Sequence, residues 1–301
     1  MERQFLLSCE STVDFPFSLA ERREIPVLFY SYFADGQEFP DDMGRDPQAL
    51  PAFYQRLAGG ALPSTAQLNE FQYEEFFDGP LQQGDVLHLA FGTGMTGSFF
   101  NAQKAAEALR EKYPHRQLVV LDSLCSSCGY GLLTLGAADR RDAGASLEET
   151  VRWVLDNRQR IHHQFFSTDL KFFRRSGRVS GPAAMLGSVL NICPIMRLDD
   201  TGHIIAYDKV RGKHNAIQRT VQCMAEHAED GERYRGPCCI AHSACPQEAE
   251  ELRQAVLARF PGLEGAVPVY DIGTIIASHC GPGTTALFFF GDARASFPLD
   301  K

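Results

Sequence analysis

Residues 92–97 read GTGMTG, a literal G-x-G-x-x-G. The apolar run DVLHLAF precedes it and the helical pattern SFFNAQKAAEALREKY follows. Strand, glycine turn and helix are the setting of a dinucleotide-binding fingerprint, in which the pyrophosphate rests on the helix N-terminus. Asp122 ends the next strand, where an acid would hold a ribose. That motif normally opens a domain's first β-α unit, and here two strands and two helices come before it. Thr96 and Ser98 flank the last glycine and add hydroxyls, so the same turn suits any anion, a carboxylate included. A tight strand-to-helix turn with no ligand also needs glycines.

Cys125 and Cys128 form C-S-S-C between a strand and a helix, the context of a thioredoxin-like redox pair. Two small residues packing a turn satisfy the same pattern. Cys238, Cys239, His242 and Cys245 offer thiolates and an imidazole, but their spacing is not that of a standard zinc site. Adjacent strand residues also point to opposite faces, so no metal is expected. KFFRRSGRVSG carries Lys171, Arg174, Arg175 and Arg178 with no acid inside it, and DKVRGKH adds Lys209, Arg211 and Lys213. Such a cluster is either a solvated turn or a dock for a phosphate or an acidic partner. His279, in ASHCGPGTT, lies between a strand and a glycine-rich turn, where open α/β folds form clefts.

The elements that must position these residues change character halfway along the chain. QFLLSCE, IPVLFYSYF, DVLHLAF and QLVVLD read as strands. Helices are expected over 47–60, 66–77, 98–113, 127–141 and 146–161. In the third of these, Phe99, Ala102, Ala106, Leu109 and Tyr113 share one face. Alternation of this kind predicts a doubly wound, mostly parallel α/β sheet. The second half opens with a hairpin around D-D-T-G in CPIMRLDDTGHIIAYDKV. A helix over 215–229, the strand PCCIAHS, a helix over 247–260 and the strands AVPVYDIG and TTALFFF then predict a smaller α+β domain. The expected division is 1–165 and 166–301.

Composition narrows the function classes. The chain has 301 residues, with 29 basic against 38 acidic side chains and a net charge of -9. That balance disfavours non-specific binding to nucleic acid or anionic membranes. No apolar run reaches the roughly 18 residues of a membrane span. MERQFLLSCESTVD has neither an apolar core of usual signal-peptide length nor a small-residue cleavage site, so a cytoplasmic protein is expected, with at most transient membrane contact. The nine cysteines are scattered, unlike the framework of a small secreted domain. Twenty-two phenylalanines against one tryptophan suit a large core or an apolar ligand cavity.

Taken in order, STVDFP, PSTAQ, GMTGSFFNAQKAA, LDSLCSSCGYG, LKFFRRSGRVSG, GSVLNICPIMRLDDTGHI, DKVRGKHNA and HCGPGT resemble the DegV family, the fatty-acid-binding subunits of bacterial fatty acid kinase. The resemblance spans nearly the whole chain. It implies a DegV-like fold of two domains with a long-chain fatty acid in the cleft between them, tail buried and carboxyl near the surface. It implies a carrier and not an enzyme, with no catalytic residue and no cofactor. The carrier would present its ligand to a separate ATP-binding kinase subunit. By position, Thr65 and Thr96 match the hydroxyls that hold the carboxyl group. His279 would lie beside them, with Ser64, Gly97 and Ser98 nearby. Arg178 and Arg211 match arginines that face the partner. Ala66 stands where a Ser is usual, Cys193 where a Lys is common, and Ser176 where a Gly is. The rival function is an NAD(P)-binding oxidoreductase built on GTGMTG.

Overall fold

The computed structural model describes residues 3–178, 191–263 and 265–294. The first lobe runs β1 (Leu6–Glu10), α1 (Phe17–Arg22), β2 (Val27–Leu28), β3 (Ser31–Ala34), β4 (Gln37–Pro40), α2 (Ala49–Ala58), β5 (Ser64–Thr65), α3 (Glu70–Gln83), β6 (Val86–Ala90), α4 (Ser98–Lys112), β7 (Leu118–Asp122), α5 (Ser127–Asp142) and α6 (Leu147–Asn157). The second runs β8 (Ile161–Ser167), α7 (Lys171–Arg175), β9 (Ile192–Leu198), β10 (Ile204–Arg211), α8 (Lys213–His227), β11 (Cys238–His242), α9 (Pro246–Arg259), β12 (Val269–Asp271), α10 (Thr274–Cys280) and β13 (Thr284–Phe290).

The sheets follow from the strand patterns. VLHLA of β6 is apolar on both faces except for His88, and it lies inside a parallel sheet of order β2-β1-β6-β7 with every residue buried. TTALFFF of β13 is also wholly buried, at the interior of the mixed sheet β10-β9-β8-β13-β11-β12. The hairpin around D-D-T-G forms as expected, with β9 and β10 antiparallel. Strand β8 pairs with β9 and β13, so the second sheet starts at Ile161, and the expected division at 165/166 falls inside this strand.

Three local readings change. IPVLFYSYF is not one strand, because β2 joins the parallel sheet while β3 turns into a small antiparallel sheet of order β4-β3-β5. The helix expected from residue 66 starts at Glu70. Asn69 caps it, accepting from Gln72 N at 3.0 Å while the Gln72 side chain accepts from Asn69 N. That leaves Thr65 on β5, paired with Tyr32. TIIASHC, whose β-branched start suggests extended chain, is α10, so His279 is on a helix.

Helix α5 is the hinge of the architecture. It touches β1 of the first sheet and β8, β11 and β13 of the second. Its sequence SCGYGLLTLGAA is rich in small residues for that reason. A Cβ on Gly129 would stand 2.2 Å from His163 Nε2, and one on Gly131 would stand 2.7 Å from the Val13 carbonyl oxygen. Its positively signed φ of 52° at Ser127 is kept by a 2.5 Å hydrogen bond from the Ser127 hydroxyl to Asp14. No helix among the described residues is long and apolar enough to cross a membrane.

Gly129→Ala therefore forces an atom into His163, which also accepts from Ser126 N at 3.1 Å. We expect a loss of about 2 kcal/mol in a urea melt, the usual scale of overpacking. Gly177→Ala, with nothing within 4 Å of the new Cβ but a φ of +71°, serves as the comparison for backbone strain without a clash. Equal melts for Gly129→Ala and the wild type would refute the packing argument.

Candidate functional site

Four loops converge where the lobes meet, and glycines let them touch. A Cβ on Gly92 would lie 2.7 Å from the Cys125 carbonyl oxygen. One on Gly94 would lie 2.2 Å from the Gly202 carbonyl oxygen, in the turn between β9 and β10, and one on Gly97 would lie 3.0 Å from the Gln67 side chain. GTGMTG is thus the meeting point of PSTAQ, LCSS and the second-lobe hairpin. Asp122 is spent inside the turn, accepting from Thr93 Oγ1 at 2.6 Å, Thr93 N at 3.1 Å and Leu124 N at 2.9 Å. Neither element of the dinucleotide reading is free for a nucleotide.

Beneath these loops lies a cavity of about 200 Å³ between the lobes. Tyr30, Phe91 and Met95 line it from the first lobe, and Phe173, Ile204 and Ile276 from the second. Thr65, Thr96, Arg178 and His279 supply its polar rim. A second space of about 60 Å³, lined by Phe165, Leu198, Ile272 and Phe288, continues behind Phe173, Ile204 and Ile276, which border both. The inner wall is braced by Glu10, fully buried at the end of β1. Its carboxylate accepts from Tyr30 Oη at 3.0 Å, Phe91 N at 2.9 Å, the Tyr73 hydroxyl and His88 Nε2 at 3.3 Å. Nothing in the spacing of QFLLSCE singled out this acid. Only the tyrosines around it, distant in sequence, explain its place.

The rim is neutral where it matters. Thr65 Oγ1 and His279 Nε2 are 2.8 Å apart, a bond that joins β5 of the first lobe to α10. Burial, with Arg178 and Arg175 adding to it, pushes the His279 imidazole down to about 3, so the ring is uncharged near neutrality. Its Nδ1 is buried and has no partner among the described residues. Thr96 Oγ1 lies 2.9 Å from Ser98 Oγ and accepts weakly from Ser98 N at 3.3 Å, beside the first turn of α4. Gly97 precedes that helix, Ser98 Oγ also accepts from Leu68 N, and Ser64 is exposed on β5.

Arg178 donates to the Met95 carbonyl at 3.2 Å and so bends over the glycine turn. Arg175 is spent on structure, donating to the carbonyls of Pro63 at 2.7 Å and Ser278 at 3.3 Å. Arg211 is exposed at the far end of β10, about 20 Å along the strand from Ile204 at the cavity. Of the two arginines expected to face a partner, Arg178 lines the cavity. Lys171, Arg174 and Lys209 are exposed.

The cysteine motifs fall to burial. Burial pushes the Cys125 thiol up to about 12 and raises Cys128 as well, so neither is a ready thiolate. They bond in different directions, Cys125 Sγ to the Arg158 carbonyl and Cys128 Sγ to that of Asp14. Cys238, Cys239, His242 and Cys245 are not among the groups of donors that converge in the described residues.

The fold and rim define a class: a two-lobed α/β protein with an apolar interlobe cavity and a mouth of hydroxyls, a neutral imidazole and one guanidinium. The chain belongs to the DegV family, whose model, described as an uncharacterised protein family, matches residues 6–292. A DegV domain-containing protein of Clostridium perfringens is 32% identical over 294 residues, 97% of this chain and 99% of the relative. A DegV family protein of Thermus thermophilus, described as fatty acid binding, superposes with a TM-score of 0.84 at 26% identity, over 97% of this chain and all (100%) of that one. A stearic acid-binding protein of Eubacterium ventriosum gives 0.83 at 19% identity, over 95% and 98% of the two chains.

The depressed His279 value has a testable sign. The folded ring binds its proton less readily than an unfolded one near 6.5, so its neutrality contributes stability above pH 6.5 that is lost as pH falls toward about 3. In a long-range ¹H–¹⁵N titration, the His279 signals, assigned against His279→Gln, should not move between pH 8 and pH 5. A midpoint near 6.5 would overturn the burial argument.

Proposed function

We propose that this protein binds a long-chain fatty acid in the interlobe cavity and holds the carboxyl group at Thr65, Thr96 and His279. The observation that carries the reading is the mouth itself: an apolar space whose rim offers hydroxyls and the unpartnered Nδ1 of a neutral imidazole. The single Thr65 hydroxyl hydrogen goes to Nε2, which leaves the ring hydrogen on Nδ1 as a donor to an anion, so Thr65 orients the carboxyl group through the ring. The relatives described as fatty acid binding share the fold around that space.

Magnitudes assign the affinity to the tail. A dozen buried methylenes at about 0.8 kcal/mol each contribute roughly 10 kcal/mol before the costs of binding. The head group then needs orientation more than attraction, and a buried ion pair would be costly to build and would hide the carboxylate. The cavity and the space behind it are each smaller than the roughly 300–1,000 Å³ of most ligand sites. A long tail therefore enters by swinging Phe173, Ile204 and Ile276, which separate them.

The carrier role follows from the rim. The carboxyl end stays at the loops while the tail is covered, and nothing among Thr65, Thr96 and His279 is an activated nucleophile. A separate ATP-dependent kinase subunit would then meet the carboxyl group at the mouth. Arg178 is placed to grip an incoming phosphate, and Arg211 to contact the partner further out.

Purified protein, denatured and extracted, should release a C14–C18 acid at up to one per chain by mass spectrometry. A released nucleotide, or no acid after incubation with excess oleate, would sink the reading. Thr65→Val with Thr96→Val should leave tail binding within about thirtyfold, since two orienting bonds of about 1 kcal/mol each are lost. Acyl phosphate formation with a kinase partner should fall much further.

Arg178→Ala with Arg211→Ala makes the complementary test. Fatty acid affinity should change little, while phosphorylation by the kinase drops and the salt dependence of their association flattens. Loss of the fatty acid with docking intact would put these arginines in the ligand site instead.

A further inference from the structure

Away from the mouth, three donors from three segments converge at the other lobe's edge. His162 begins β8, His227 ends α8, and Asp292 follows β13. His162 Nε2 lies 2.9 Å from Asp292 Oδ1, and His227 Nδ1 lies 3.2 Å from the same oxygen and 3.1 Å from Oδ2. All three donor atoms lie within 4.8 Å of one another. We propose that His162, His227 and Asp292 form a divalent metal site that takes Zn²⁺.

The distances favour it. Ligands about 2.1 Å from a tetrahedral zinc are about 3.4 Å apart; the His227–carboxylate span of 3.2 Å is close to that edge, and the His162–carboxylate span of 2.9 Å must open by about 0.5 Å to meet it. His227 is half-exposed and can turn. His162 is fixed, stacked on Phe289 at 4.9 Å with an interplanar angle of 5°. The backbone holds the third ligand in place, because Asp292 N donates to the His227 carbonyl at 3.0 Å. Gly291 makes this approach possible: a Cβ there would stand 2.1 Å from the His227 carbonyl oxygen and 3.0 Å from His162 Cδ2.

Two imidazoles and one carboxylate are a borderline donor set that suits zinc over magnesium or calcium. The carboxylate is 60% exposed, which leaves a route for the ion and an open fourth position for water. His162 would bind as its Nδ1–H tautomer, with the metal taking the place of the proton now shared with Asp292. A second convergence, of Cys223, Glu226 and His227, is less free, since Glu226 is already engaged by Arg219 and Gln222.

The test is calorimetric titration of ZnCl₂ into the full chain after chelator treatment and dialysis, with Co²⁺ as a spectroscopic probe. The wild type should take one Zn²⁺ per chain. His227→Gln and Asp292→Asn alter exposed or half-exposed side chains, and each should weaken binding at least tenfold with the metal-free circular dichroism unchanged. The Co²⁺ complex should show ligand-field bands without intense thiolate charge transfer. No saturable binding, a loss smaller than tenfold in either variant, or a thiolate band would overturn the proposal. If either variant misfolds, His227→Asn and Asp292→Ala replace it under the same criterion.

Discussion

The close approach of two sheets to one helix is the constraint on which the rest of this structure depends. α5 is held between them, and it can be held there because Gly129 and Gly131 present no side chain to His163 and to Val13. A helix with larger residues at those positions would push the lobes apart. The loop contacts above it, Gly92 on Cys125 and Gly94 on Gly202, would then part as well. The cavity is the space left over when both lobes rest on α5.

Helix α10 shows how the lobes are then fastened. It belongs by sequence to the second lobe, yet polar tethers at both its ends run to the first. Gly273 N donates to Asp14 at 3.1 Å and Thr274 Oγ1 to Asp41 at 2.8 Å, while His279 meets Thr65 at the other end. Burial raises the carboxyl groups of both aspartates, Asp14 well above the usual range. They are kept in place by these donors and by Ser127, with no basic side chain among their hydrogen-bond partners in the described residues. An acidic chain of net charge -9 thus holds these two buried aspartates with neutral donors, while Arg175 and Arg178 cross the junction to backbone carbonyls.

What the sequence disclosed followed chain-local physics. The parallel lobe was legible because VLHLA and LVVLD are short apolar runs between helical periods, and the hairpin because D-D-T-G interrupts two strand patterns. The start of α3 lies four residues after the expected one because Asn69 and Gln72 cap the helix there, a reciprocal pair that the run of residue types over 66–77 does not reveal. α10 was missed because TII favours extended chain until tertiary contacts decide. At the site, the family resemblance brought Thr65, Thr96 and His279 together, and the Thr65–His279 bond joins residues no periodicity connects. Glu10 with its tyrosines and the convergence of His162, His227 and Asp292 were beyond reading, since each depends on which strand ends meet.

The placement of α10 bears on time as well as on structure. A mouth made from both lobes cannot widen by moving a single loop. Parting the lobes would break the tethers at Asp14, Asp41 and Thr65 together, and an occupant that touches both lobes would resist that motion. Anything bound there is therefore also a clasp, favouring the closed molecule in proportion to its free concentration. Filled and empty molecules would differ in how often they expose their interior to a protease. The lifetime of the chain in its cell would then be a running record of its ligand's supply.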